Sequence, residues 1–130
     1  MKYYLIHFRD YYAESNGRTG RKAFLVFMAV HLFIFVVTVG LDLMLIIYAE
    51  DFLFSGALSL IYSLLSLLPF LSIMIRRLHD TGKSGWLLSL LLIPLIGMVI
   101  VLVFLLRKGN TGDNRFGSTP VNHKTKFIVK

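Results

Sequence analysis

Apolar residues run along this chain in three long stretches separated by short polar ones. The first covers residues 23–48 and is interrupted by His31 and Asp42; the second, 52–75, and the third, 86–106, carry no charge. Each is long enough for the roughly 20 helical residues that cross a bilayer core. The pattern predicts an all-α membrane protein with two full transmembrane helices. The third segment is expected to be kinked or re-entrant at Pro94, because Ile93-Pro94-Leu95-Ile96-Gly97 puts two helix breakers at its middle. The first stretch is too long for a cleavable signal and follows a charged leader with no small-residue cleavage site, so it is expected to be retained.

The leader, residues 1–22, is patterned as well. Met1, Tyr4, Leu5, Phe8, Tyr11 and Tyr12 share one face of a helical wheel, with Lys2, His7, Arg9, Asp10 and Glu14 on the rest. This predicts an amphipathic helix lying in the membrane interface, ended by Asn16-Gly17. Tyr11, Tyr12 and, further on, Trp86 are the expected interface anchors. Residues 1–120 read as a single integral membrane domain, and 121–130 as a flexible basic tail.

Hydrophobic residues make up 56% of the chain, and its formal net charge is +7. In a soluble protein such a charge points to nucleic acid; between apolar spans it reads as topology, and no nucleic-acid partner is expected. The cations cluster in the leader (Lys2, Arg9, Arg18, Arg21, Lys22), in the loop after the second stretch (Arg76, Arg77, Lys83) and in the tail (Arg107, Lys108, Arg115, Lys124, Lys126, Lys130). The connection around residues 49–51 has none and carries Glu50 and Asp51. It is therefore expected outside, with the leader and the 76–83 loop in the cytoplasm. Three complete crossings would export the basic tail, opposing on the order of 11 kcal/mol at 100 mV for five net charges. A fold-back at Pro94 keeps every Lys and Arg inside and puts the C-terminus in the cytoplasm. Its turn would need protein cover, which makes a homo-oligomer the expected state.

Within the membrane, Ser55, Ser59, Ser63 and Ser66 recur at four- and three-residue spacing on one helix face, beside Tyr62. Small residues in that register predict a helix-packing seam. The sharper alternative is a polar solute path, with His31 about 12 Å deep as its ionisable member. Asp42 falls near the outer interface and reads as a topological marker.

The densest chemistry lies in Arg76-Arg77-Leu78-His79-Asp80-Thr81-Gly82-Lys83-Ser84-Gly85-Trp86. Asp80 is placed to pair with Arg76 and Arg77 on one helix face, Thr81-Gly82 to stop the helix, and Ser84 to cap the next. Arg76, Arg77, Lys83 and the helix start at Ser84, with the collar Arg18, Arg21 and Lys22, form a candidate anion or lipid-headgroup site. His79 and Asp80 point about 100° apart as helix neighbours and make no ready acid–base dyad. Without cysteine, thiol catalysis and thiolate metal sites are excluded. The scattered histidines, the missing Gly-Lys-Ser/Thr loop and the missing nucleophile elbow leave no catalytic, cofactor-binding or metal residue to name. Residues 109–117 are rich in turn formers and read as an ordered loop, with Phe116 tucked against the membrane face.

Gly17-Arg18-Thr19-Gly20-Arg21-Lys22, the 76–86 string, the Pro94 string and residues 109–120 occur in that order. Together they resemble the bacterial inner-membrane family of YhaH type, domain-of-unknown-function family 805, over about residues 1–120. The chain departs from that pattern at Ala23, where an acidic residue often stands, and at Leu87, where a second Trp is common. The resemblance implies a multi-pass protein of the bacterial cytoplasmic membrane and brings no activity, cofactor or catalytic residue. The expected function is non-enzymatic: binding of anionic lipid in the bilayer, or of a membrane partner, through the basic cytoplasmic face. A small oligomeric transporter or channel is the alternative, and a lipid-headgroup enzyme using His79 and Asp80 is the third.

Overall fold

A computed structural model of the chain describes residues 12–49 and 56–120. Helix α1 spans Arg21–Ala49 and helix α2 spans Ala57–Asp80. A 3-10 helix, Gly85–Leu92, and helix α3, Ile96–Leu106, follow. Among the described residues the only β pairing is the bridge between Asn114 and Gly117. The chain is thus all-helical, with two helices long and apolar enough to cross a membrane and a shorter apolar one. The large apolar side chains of α1 and α2 are mostly exposed, Leu32, Phe33, Leu60 and Leu64 among them. So wide an apolar surface suits a lipid solvent and would be a liability in water.

Residues 12–20 form no helix, and the last two residues of the leader begin α1. The expected amphipathic helix otherwise falls on residues 1–11, outside the described ones, as does Tyr11; Ser55 and the tail from residue 121 also lie outside.

The described residues divide into two compact units. One holds residues 12–14, 25–49 and 56–72; the other holds 15–24 and 73–120. In the first unit, polar groups are few and each has a local task. Asp42 is buried, and its two carboxylate oxygens accept the amides of Leu58 at 3.2 Å and Ser59 at 2.8 Å. These are first-turn donors of α2 with no partner inside their own helix, and the carboxylate also meets the positive end of the helix dipole. The residue read from its depth as an exposed marker is therefore an interhelical cap.

Pro69 stands inside α2 and is fully buried. It has no N–H for the carbonyl of Leu65 four residues earlier. The Tyr12 hydroxyl donates to that carbonyl at 2.6 Å, and Ser72 Oγ donates to the Tyr12 carbonyl at 3.4 Å. Tyr12, expected as an interface anchor, supplies the hydrogen bond that the proline lacks.

The serine face of α2 is satisfied within its own helix. Ser59 Oγ donates to the Gly56 carbonyl at 3.2 Å, Ser63 Oγ to Ser59 at 2.6 Å, and Ser66 Oγ to Ser63 at 3.4 Å. Ser66 is buried. His31 is held by Tyr62, whose hydroxyl lies 2.7 Å from Nδ1 and 3.3 Å from the His31 carbonyl. The rings of Phe27, Tyr62 and Phe70 surround the imidazole at 5.9, 5.3 and 5.1 Å.

In the second unit, the third apolar segment is a hairpin of two short helices packed on each other. The break is at Ile93-Pro94-Leu95. Leu95 has φ 63° and ψ −65°, and the Ile96 amide donates to the Pro94 carbonyl at 2.8 Å. That is a γ-turn built on a non-glycine residue, a strained form that its surroundings must hold. Gly97 supplies the close approach: a Cβ there would lie 1.6 Å from the Leu90 carbonyl oxygen.

Candidate functional site

The last turns of α2 bring Ile73, Met74 and Leu78 into the core of the second unit, and with them Arg76, Arg77 and Asp80. The helix then ends in a Schellman motif. The Lys83 amide donates to Leu78 and the Gly82 amide to His79, each at 3.0 Å, with Gly82 at φ 73° as such a stop requires. Ser84 Oγ accepts the Trp86 amide at 3.4 Å and opens the 3-10 helix. Gly85 lets that helix start close in, because a Cβ would sit 2.8 Å from Ile75 Cγ2.

Asp80 is the centre of the site. Its Oδ1 accepts Nε of Arg18 at 3.1 Å and Nη2 at 2.9 Å, and its Oδ2 accepts Nη1 of Arg77. Arg77 is fully buried, Arg18 is 7% exposed and Asp80 is 4% exposed. Two guanidiniums on one carboxylate leave an excess positive charge in a dry place, and desolvating each ion costs several kcal/mol unless its remaining donors are met. Backbone carbonyls meet them. Arg77 Nε donates to Leu105 at 2.9 Å, and its Nη2 donates to the Arg107 carbonyl. These carbonyls belong to the negative end of α3, where a cation is favoured. Arg18 Nη1 donates to Gly112 at 2.6 Å and to Gly117 at 3.3 Å, and Nη2 to Asn110 at 2.7 Å.

The backbone closes in on the same point. The Asn110 amide donates to the Asp80 carbonyl at 2.8 Å, and the Thr19 amide to the Arg76 carbonyl at 3.0 Å. A Cβ on Gly109 would sit 2.0 Å from Asp80 Oδ2, so only glycine fits there. Beside the junction, the His79 ring stacks on Phe116 with centroids 3.9 Å apart, and its Nδ1 lies 3.3 Å from the Gly17 carbonyl. Asn114 Nδ2 donates to the His79 carbonyl at 2.9 Å, and its Oδ1 accepts the Phe116 amide at 2.9 Å. Phe116 thus packs on His79.

Arg18 and Arg77 are buried and committed to Asp80 and to carbonyls, so they offer nothing to an outside anion; Arg76 is buried beside them. Arg21, Lys22 and Lys83 are exposed, and Arg107, Lys108 and Arg115 join them. The Lys83 ammonium lies 5.2 Å from the centre of the Phe104 ring. Trp86 stands 85% exposed at the start of the 3-10 helix. Sequence reasoning missed the partners on the far side of Asp80. Its pairing rules reach three or four residues along a helix, whereas Arg18 lies 62 residues away. The one available signal was the glycine-rich loop, which supplies bare carbonyls and, at Gly109, room for a carboxylate. Among the described residues no group of His, Asp or Glu is placed to hold a metal.

An all-helical membrane protein organised on such a junction is the class that the fold and the site define. The family of proteins of unknown function called DUF805 matches residues 12–118, and the chain belongs to it. It is similar to the inner membrane protein YhaH of Escherichia coli K12, at 40% identity over 121 residues, 92% of this chain and 97% of YhaH. It is similar as well to the inner membrane protein YhaI of the same strain, at 34% identity over 120 residues, 92% of this chain and 96% of YhaI. No solved structure matches it.

Proposed function

We propose that this protein is a non-enzymatic module of the bacterial inner membrane whose basic cytoplasmic face binds anionic lipid headgroups. One observation carries the reading, the segregation of charge. Every Lys and Arg among the described residues belongs to the unit of residues 15–24 and 73–120. Cations flanking apolar spans stay on the cytoplasmic side. Arg18 and Arg77 are consumed internally, whereas Arg21, Lys22, Lys83, Arg107, Lys108 and Arg115 remain exposed. Each cation near an anionic leaflet gains about 1 kcal/mol.

In this reading α1 and α2 cross the membrane, and the third segment enters and returns on the cytoplasmic side. Three features support the return. The 3-10 leg of Gly85–Leu92 and the α3 leg of Ile96–Leu106 are each about 16 Å long, half the hydrocarbon thickness. The break between them holds Pro94 and the γ-turn at Leu95. Both legs run to or from the end of α2, one by direct continuation and the other through Arg77. A second copy of the chain covering the hairpin turn fits the need to shield its backbone from lipid.

Native mass spectrometry of the detergent-solubilised protein with mixed phosphatidylglycerol and phosphatidylcholine tests the lipid reading. We expect preferential retention of phosphatidylglycerol, reduced about 100-fold in the triple variant Arg21→Gln, Lys22→Gln, Lys83→Gln. A preference that survives this variant rejects the reading.

A further inference from the structure

The third apolar segment, 86–106, is long enough to cross a bilayer on its own, so something other than length decides that it does not. We propose that the Asp80 junction is a topology lock: it fastens the chain after α3 to the end of α2 and so keeps the segment re-entrant. The inference rests on the re-entrant reading above and adds its cause.

The fastening is made of independent contacts onto one spot. Arg77 takes the carbonyls of Leu105 and Arg107, the last stretch of α3 and the residue after it. The Asp80 carbonyl takes the Asn110 amide. Gly109 fits against the Asp80 carboxylate at a distance that no side chain permits. Arg18, fixed on the same carboxylate, takes the carbonyls of Asn110, Gly112 and Gly117. Residues 105–117 are thereby tied along their length to a point five residues before Gly85, where the segment begins. A complete crossing would part every one of these contacts and take from Arg18 and Arg77 the carbonyls that meet the donors Asp80 leaves over. With the junction intact the hairpin is the only arrangement open to the segment. With it broken, the segment is an ordinary apolar span.

The lock and the basic tail predict opposite outcomes for one substitution. Asp80→Ala removes an acid from the cytoplasmic face and makes it more basic, so charge alone holds the tail inside as firmly as before or more so. Loss of the lock lets the tail out. The chain has no cysteine, and Ser118 is exposed, so Ser118→Cys gives a single reporter on the full-length protein in its native membrane. The readout is labelling by a membrane-impermeant maleimide in intact spheroplasts and in inverted vesicles. We expect Ser118→Cys alone to be labelled only in inverted vesicles. We expect Asp80→Ala to lower the inside-to-outside labelling ratio at least about tenfold. Gly109→Ala, which leaves every charge in place, should act in the same direction. If Asp80→Ala does not accumulate, Gly109→Ala carries the test alone. Exclusively inside labelling in the variant that accumulates overturns the lock. Outside labelling of the parent Ser118→Cys protein, before any lock residue is touched, overturns the re-entrant reading instead, so the two failures are told apart.

Discussion

In residues 12–14, 25–49 and 56–72 the polar side chains make local contacts, each serving one or two groups. Asp42 holds the open amides of α2, Tyr12 replaces the hydrogen bond missing at Pro69, and Tyr62 holds His31. In residues 15–24 and 73–120 they converge. Arg18, Arg77 and Asp80 share partners with one another and with the carbonyls of Leu105, Arg107, Asn110, Gly112 and Gly117. The first arrangement repairs helices that apolar packing already makes. The second holds together stretches that share no helix and no strand. Substitutions in the first unit should therefore be modest and coupled at most in pairs, and those at the buried charges of the second large and coupled across the site.

The contrast is broken most severely at Asp80. Asp80→Ala should cost ~3–5 kcal/mol in reversible unfolding of the solubilised protein, because two buried guanidiniums lose their counter-charge. Combined with Arg77→Met it should cost clearly less than the sum of the two changes, and a simple sum would mean that the site is no network. Next comes Gly97→Ala, at ~3 kcal/mol, from the clash with the Leu90 carbonyl; thermal unfolding of the variant checks it, and wild-type stability would show that the two legs do not close as described.

Smaller effects sharpen the other half of the comparison. Tyr12→Phe should cost ~1 kcal/mol, and the cost should vanish when Pro69 is replaced by Ala, which restores an amide for Leu65. An equal cost in both backgrounds would sever the link between Tyr12 and the proline. Tyr62→Phe should cost ~0.6 kcal/mol, the usual worth of one such contact between membrane helices. Smallest of all, neutralising Lys83 or Arg115 should move stability by no more than ~0.5 kcal/mol, since both are exposed. A larger loss at Arg115 would draw it into the junction, through the guanidinium that lies 4.6 Å from the centre of the Phe116 ring.

Much of the helical framework was legible. Long apolar runs mark the two long helices, and Thr81-Gly82 and Ser84 mark the end of one helix and the start of the next by local hydrogen-bonding rules. What lay hidden was long-range or conditional. Nothing local joins Arg18 to Asp80. Asp42 looked exposed because depth alone was counted, while its partners are the amides of a helix start that no periodicity announces. The 3-10 form of Gly85–Leu92 was equally hidden, since its apolar run fits a tighter or a looser winding alike. Arg76, Arg77 and Lys83 looked equivalent as a basic cluster. They part company because Arg77 and Lys83 stand on opposite sides of a helix stop, the first turned into the core and the second left in the open.

A single carboxylate that gathers its own helix and two distant stretches also shapes the genetics of the chain. Damage at Arg18, at Arg77 or around Gly109 injures the same object, so the three should behave as one locus in a mutant screen.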